Sequence, residues 1–233
     1  MRIVVCTVLA VLLVPSAANA LTVTGFQGDT VFNDLCNQGT SNQDCEFAVG
    51  EIRGGGPSWE YGIQNPPGTP VSVQQFTWAS GDAEAFTLSY VSTTQLLSLV
   101  VGSSVASETT LPGSGLDDAK SLFIRARSQD ASRRIEISNM TLGGEALPNL
   151  SFLGGGSAGA AYLQISGFDL SNDWILSGEV TLTWPSNENV PSNSQLDVNF
   201  KITDVAVPLP APIWMMLSAL GLCLFISRRR GQA

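Results

Sequence analysis

The sequence predicts an all-β protein, an antiparallel β-sandwich of jelly-roll type with a hydrophobic helix near the C-terminal end. Three observations predict it. Apolar residues recur at every second position: Leu196, Val198, Phe200 and Ile202 alternate with Asp197, Asn199, Lys201 and Thr203, one face for a core and one for water. Trp174, Leu176, Val180, Leu182 and Trp184 repeat this on even positions against Glu179, Thr181 and Thr183. Turn clusters punctuate these runs, among them Gly54-Gly55-Gly56-Pro57, Asn65-Pro66-Pro67-Gly68, Pro112-Gly113-Ser114-Gly115 and Gly154-Gly155-Gly156, and no window has the spacing of a long amphipathic helix. Many short strands so divided pack as two antiparallel sheets.

In chain order, Arg2 supplies a basic start, Ile3 to Val14 an apolar stretch broken at Pro15, and Ala18-Asn19-Ala20 a small-residue cleavage site. Residues 1–20 therefore read as a signal peptide, removed by signal peptidase before Leu21. Residues 21–204 are the extracellular β-sandwich domain. Its expected strands are Leu21 to Phe26, Phe47 to Arg53, Val71 to Ala79, Ala85 to Ser92, Leu96 to Val101, Ser121 to Arg127, Arg133 to Leu142, Tyr162 to Ser166 and the two runs above. The segment Arg127 to Arg133 reads as a hairpin tip. Cys36 and Cys45 read as a disulfide closing a polar loop, because Cys6 and Cys223 fall in the targeting segments and an exported pair is normally oxidised.

Residues 205–233 carry three signals in succession. Pro208, Pro210 and Pro212 force an extended entry, Ile213 to Ile226 is almost wholly apolar, and Arg228, Arg229 and Arg230 stop it. The apolar stretch is shorter than the roughly 20 residues of an ordinary span, though counting from Val205 brings it close. The arginines would stay in the cytoplasm, leaving the rest outside.

Motif, apolar helix and terminal arginines in this order resemble the PEP-CTERM sorting signal of Gram-negative bacteria, in the variant whose motif reads VPLPA, here Val207, Pro208, Leu209, Pro210 and Ala211. The resemblance covers about the last 25 residues. It implies recognition by an exosortase, a membrane protease-transpeptidase, transient anchoring in the inner membrane, and association with exopolysaccharide or biofilm matrix. Within the domain, SLFIRAR, EISNMTLGG and LTW resemble choice-of-anchor domains of such surface proteins, which implies a β-rich surface domain without defined activity.

Once the targeting ends are set aside, the domain keeps seven basic against all 20 acidic residues, a formal charge of −13. Nucleic acid and anionic headgroups are poor partners for that surface. The absence of histidine removes Ser-His-Asp and Cys-His arrangements and the usual zinc sites, so no catalytic or metal residues are assigned. Paired carboxylates remain open for a secreted carbohydrate-active enzyme, with Glu51, Glu60 and Glu179 as candidates, though these read first as solvated strand-face residues.

Binding has more material. Trp59, Tyr61, Trp78, Tyr90, Trp174 and Trp184 can fill a core or stack on sugars; parity places Trp174 and Trp184 inside, and Trp59 and Tyr61, beside Gly and Pro turns, are put forward for glycan binding. Arg125, Arg127, Arg133 and Arg134 are the domain's basic concentration, set either to grip an acidic polysaccharide or to be neutralised by neighbours such as Asp130 and Glu136. Asp29, Asp34, Asp44 and Glu46 are the oxygen donors available to Ca²⁺, without the spacing of a dedicated loop. The expected role is structural, adhesive or polysaccharide-binding, at the cell surface or in the matrix.

Mass spectrometry of the exported protein should show a first residue of Leu21 and loss of the tail near Pro208 to Ala211 in a host carrying the sorting enzyme. Surface protein that still contains Ile213 to Arg230 would leave a plain membrane anchor instead.

Overall fold

The computed structural model describes residues 21–36, 45–54, 59–65, 69–154, 159–188 and 196–205. The expected signal peptide, the motif Val207 to Ala211, the expected C-terminal helix and Arg228 to Arg230 lie outside the described residues.

The chain begins with strand β1 (Thr22–Gln27) and a short helix, α1 (Asp29–Cys36). Strands β2 (Glu46–Gly54), β3 (Tyr61–Asn65), β4 (Thr69–Gln74), β5 (Ala83–Val91), β6 (Leu96–Val101) and β7 (Ser107–Thr110) follow. Next come β8 (Ser121–Ser128), β9 (Arg134–Leu142), β10 (Glu145–Ala146) and β11 (Leu150–Leu153). The last are β12 (Ala160–Ser166), β13 (Trp174–Thr183) and β14 (Leu196–Thr203). One sheet has the order β1-β12-β8-β14-β2-β3-β4; the other has β10-β9-β13-β5-β6-β7, with β11 also pairing β9. Neighbouring strands run antiparallel, as in β12 with β8 and β13 with β5.

The two sheets pack face to face over one apolar core, so the expected all-β sandwich is present. Leu122, Ile124, Val198, Phe200 and Ile202 of the first sheet meet Phe86, Leu88, Leu99, Leu176 and Val180 of the second. Phe86 and Phe200 have ring centroids 5.0 Å apart across the interface. Trp174 and Trp184 are buried, as their parity requires.

Strand β9 departs from simple alternation. Ile135 and Ile137 point inward on odd positions, whereas Met140 and Leu142 do so on even ones. The register slips between Ser177 and Glu179 of β13, opposite Asn139 at φ 52°, and this bulge resets the parity. Gly178 sits there because a Cβ would come within 2.9 Å of Met140 and Phe86.

Three expectations need correction. Arg127 to Arg133 is not a hairpin tip, because β8 lies between β12 and β14 in one sheet while β9 pairs β13 in the other, so the segment crosses between sheets. The expected strand from Val71 ends at Gln74, and its exposed Val71 and Val73 mark an edge. The unexpected helix α1 is only two turns long, too short to show periodicity. It buries Phe32 and Cys36 at helical spacing, and a disulfide from Cys36 to Cys45, with Cα atoms 5.5 Å apart, fastens its end to the start of β2.

Candidate functional site

A cluster of buried and half-buried charged residues lies on the outer face of the first sheet, beneath α1. In the register, Asn199 of β14 lies between Arg125 of β8 and Glu51 of β2, and Asp197 lies between Arg127 and Arg53. Side chains two apart on a strand share a face, so these residues form two adjoining rows. The face expected to be wet is instead largely covered, with Asp197 2% exposed.

Arg125 is the hub. Its Nε and Nη2 each donate over 2.9 Å to the two oxygens of Asp29 at the first residue of α1, a bidentate fork. Its Nη1 donates to Asn199 Oδ1 at 2.7 Å and to Asp197 Oδ1 at 3.3 Å. The Tyr162 hydroxyl, from β12, donates to Asp29 Oδ1 at 2.5 Å. Arg127 Nε lies 2.8 Å from Asp197 Oδ2. Beside them Arg53 Nε donates to Glu51 at 2.9 Å, and Gln64 donates to the other Glu51 oxygen.

Electrostatics follow from this packing. Burial pushes the Asp197 carboxyl up to about 6 against the pull of Arg125 and Arg127, with the Glu51 charge adding to the rise. Burial acts on Asp29 in the same sense, yet the bonds from Arg125 and Tyr162 hold it below the usual carboxylate range. Arg125 stays above its ordinary value because Asp197 and Asp29 outweigh its desolvation. Glu51, whose charge adds to that rise, is itself held by Arg53 and Gln64.

Apolar contacts seat α1 on the same face. Phe32 packs edge-on to Phe123 at 5.0 Å and stacks on Tyr162 at 5.5 Å. Lys201 Nζ, 2.5 Å from Glu46, lies 4.5 Å from the centre of the Phe32 ring.

The glycan-stacking residues expected from sequence lie elsewhere than on an open platform. Trp59 is 5% exposed, with the Arg53 guanidinium 3.7 Å above its ring. Tyr61 is 0% exposed, because odd positions of β3 face the core and its hydroxyl donates to the Val105 carbonyl. Burial raises the Tyr61 pKa accordingly. Trp78 is buried as well, its indole donating to Glu60 at 3.1 Å.

The four arginines do not form one patch. Arg133, in the crossover, pairs with Glu188 at 2.8 Å and Arg134, on β9 of the second sheet, with Glu136 at 2.9 Å, whereas Arg125 and Arg127 pair with Asp29 and Asp197. Asp130 instead accepts from Ser132. The candidate acids are also scattered: Glu51 faces out from the first sheet, Glu60 holds Trp78, and Glu179 accepts from Asn139 on the second sheet at 2.7 Å. Of the Ca²⁺ candidates, Asp29 and Glu46 have cationic partners, Asp34 is exposed on α1, and Asp44 lies outside the described residues. Among the described residues no group of three or more His, Cys, Asp or Glu side chains gathers to hold a metal.

Asp197 and Asn199 were missed as site residues, since alternation alone assigns them to solvent. Their signal was the acidic and amide pattern Asp-x-Asn on one strand and Arg-x-Arg on another. Compared with known proteins, the chain matches no family model, and no curated protein shows significant similarity to it. No helix among the described residues is long and apolar enough to cross a membrane.

The raised Asp197 carboxyl predicts a pH dependence. The folded state binds this proton more tightly than the unfolded chain, so its stabilising contribution is full below the ordinary carboxylate pKa and is lost as pH rises towards about 6. Thermal unfolding across that window should show a downward slope with pH that Asp197→Asn flattens; an unchanged slope in the variant would contradict the assignment.

Proposed function

We propose that this chain is an exported, exosortase-sorted protein of the cell surface or exopolysaccharide matrix, with a structural, adhesive or polysaccharide-binding role. Signal peptidase and an exosortase process it, the C-terminal helix holds it transiently in the inner membrane, and exopolysaccharide is its matrix partner. The disulfide between Cys36 and Cys45 suits an oxidising compartment. A jelly-roll frame is supported by strand order: β2-β14-β8-β12 faces β5-β13-β9-β11, and the chain visits these eight strands in the double Greek-key sequence.

The observation that carries the non-catalytic reading is the engagement of the buried acids. Glu51 and Asp197 are held by Arg53, Gln64, Arg125 and Arg127, which makes the charged face a framework for α1 and the first sheet. Removing one partner of a buried ion pair so that the other charge is left uncompensated typically costs about 3–5 kcal/mol.

A second reading, a secreted carbohydrate-active enzyme, is favoured by one feature. Asp197, raised to about 6, stands diagonally across the strand pair from Glu51. Reducing-end assays of the exported protein on soluble glucans and polyuronates decide between them. No turnover is expected. Turnover abolished by Glu51→Gln in a protein that still unfolds cooperatively would establish the enzyme.

A further inference from the structure

With Trp59 and Tyr61 buried, a polysaccharide-binding role needs another surface, and the outer face of the second sheet has one. At the end of β5, β13 and β9 lies a concavity of about 540 Å³. Ile175 of β13, 55% exposed, and Val91 of β5, 37% exposed, are two of the large apolar side chains that the domain leaves open to solvent, and both line it. Ser89 lies directly opposite Ile175 in the register, and Thr141 of β9 contributes a hydroxyl 3.0 Å from Ser177. Gly144, at φ 90°, forms an edge where even a Cβ would meet nothing within 4 Å, so the backbone is open to a ligand.

Asp173 sits at the mouth. Its Oδ1 accepts from both the backbone N–H and the hydroxyl of Ser92, each at 2.7 Å, which fixes the carboxylate in place. Those two bonds hold its pKa below the usual range, so it is an ionised acceptor at neutral pH. Among the described residues no Lys or Arg lines the concavity.

We infer that this concavity binds an uncharged pyranose unit of a polysaccharide, with Ile175 and Val91 against the C–H face of the ring and Ser89, Thr141 and Asp173 on its hydroxyls. Apolar walls with a few convergent polar groups suit a ligand of that build. A carboxylate with no cation beside it disfavours uronates and phosphorylated or sulfated sugars. The hydroxyls of Thr87 and Ser177 continue across the same outer face, a track along which neighbouring sugar units can lie. This assignment rests on the polysaccharide role proposed above and locates it on the second sheet.

The test uses the full-length protein in detergent, with maltopentaose, cellopentaose and laminaripentaose as neutral probes and oligogalacturonate as the acidic one, read by calorimetry. At least one neutral probe should bind, and oligogalacturonate should not. Ser89→Trp, which fills the concavity from a strand position, and Ile175→Glu should each weaken binding by about tenfold or more, while Val71→Glu on the far edge of the other sheet should not. Neutral binding that survives both concavity variants would overturn the site while leaving the polysaccharide role standing. Binding of oligogalacturonate alone would overturn the assigned chemistry. Absence of binding to every probe would overturn both.

Discussion

Arg125 is a guanidinium 9% exposed in the outer layer of a sheet, and the layout of that whole side depends on its being satisfied. Desolvating such a charge is costly unless its donors are all matched, and a planar fork demands partners at fixed angles. Asp29 fills one edge of the fork, and Asn199 and Asp197 share the remaining nitrogen. Asp29 is the first residue of α1, so the helix N-terminus is held where the guanidinium requires it. Its far end is held by the disulfide at Cys36. Between these two fixings Phe32 lies flat on Tyr162 and edge-on to Phe123, closing an apolar contact that a two-turn helix could not secure alone.

The division of labour between the two sheets follows from this. The first sheet carries the buried charges, and its outer face is occupied by α1 and by ion pairs that balance within the layer. Trp59 is drawn into the same system through Arg53. The second sheet has no described helix over its outer face, which bears Ser, Thr and a few open apolar side chains such as Ile175. Surface acids elsewhere give the domain a negative field.

Much of this was legible in the amino-acid pattern. Period-two alternation located β6 to the residue and β5, β8, β12, β13 and β14 to within two residues at either end, because each has one face in the core. The disulfide and the inward tryptophans Trp174 and Trp184 were legible for the same local reasons. Alternation cannot say what covers the other face. Asp197 and Asn199 read as solvent-facing because nothing local announces that a helix from the start of the domain, and arginines from β8, will close over them. Trp59 and Tyr61 read as exposed from their neighbouring turns, yet Tyr61 starts a strand whose odd positions enter the core. The arginine concentration was visible in sequence, but its division between two sheets is a property of the crossover after β8.

The Arg125 fork keeps α1 on the first sheet. Amide hydrogen exchange in the wild type and in Arg125→Lys measures this directly, because the amides of Asn33 to Cys36 are those bonded within the helix. Lysine keeps the charge but cannot bridge both oxygens of Asp29 while reaching Asn199. These four amides should exchange about tenfold faster or more in the variant, roughly 1.4 kcal/mol, while those of β13 keep their protection. Unchanged exchange in α1 would contradict that role of the fork.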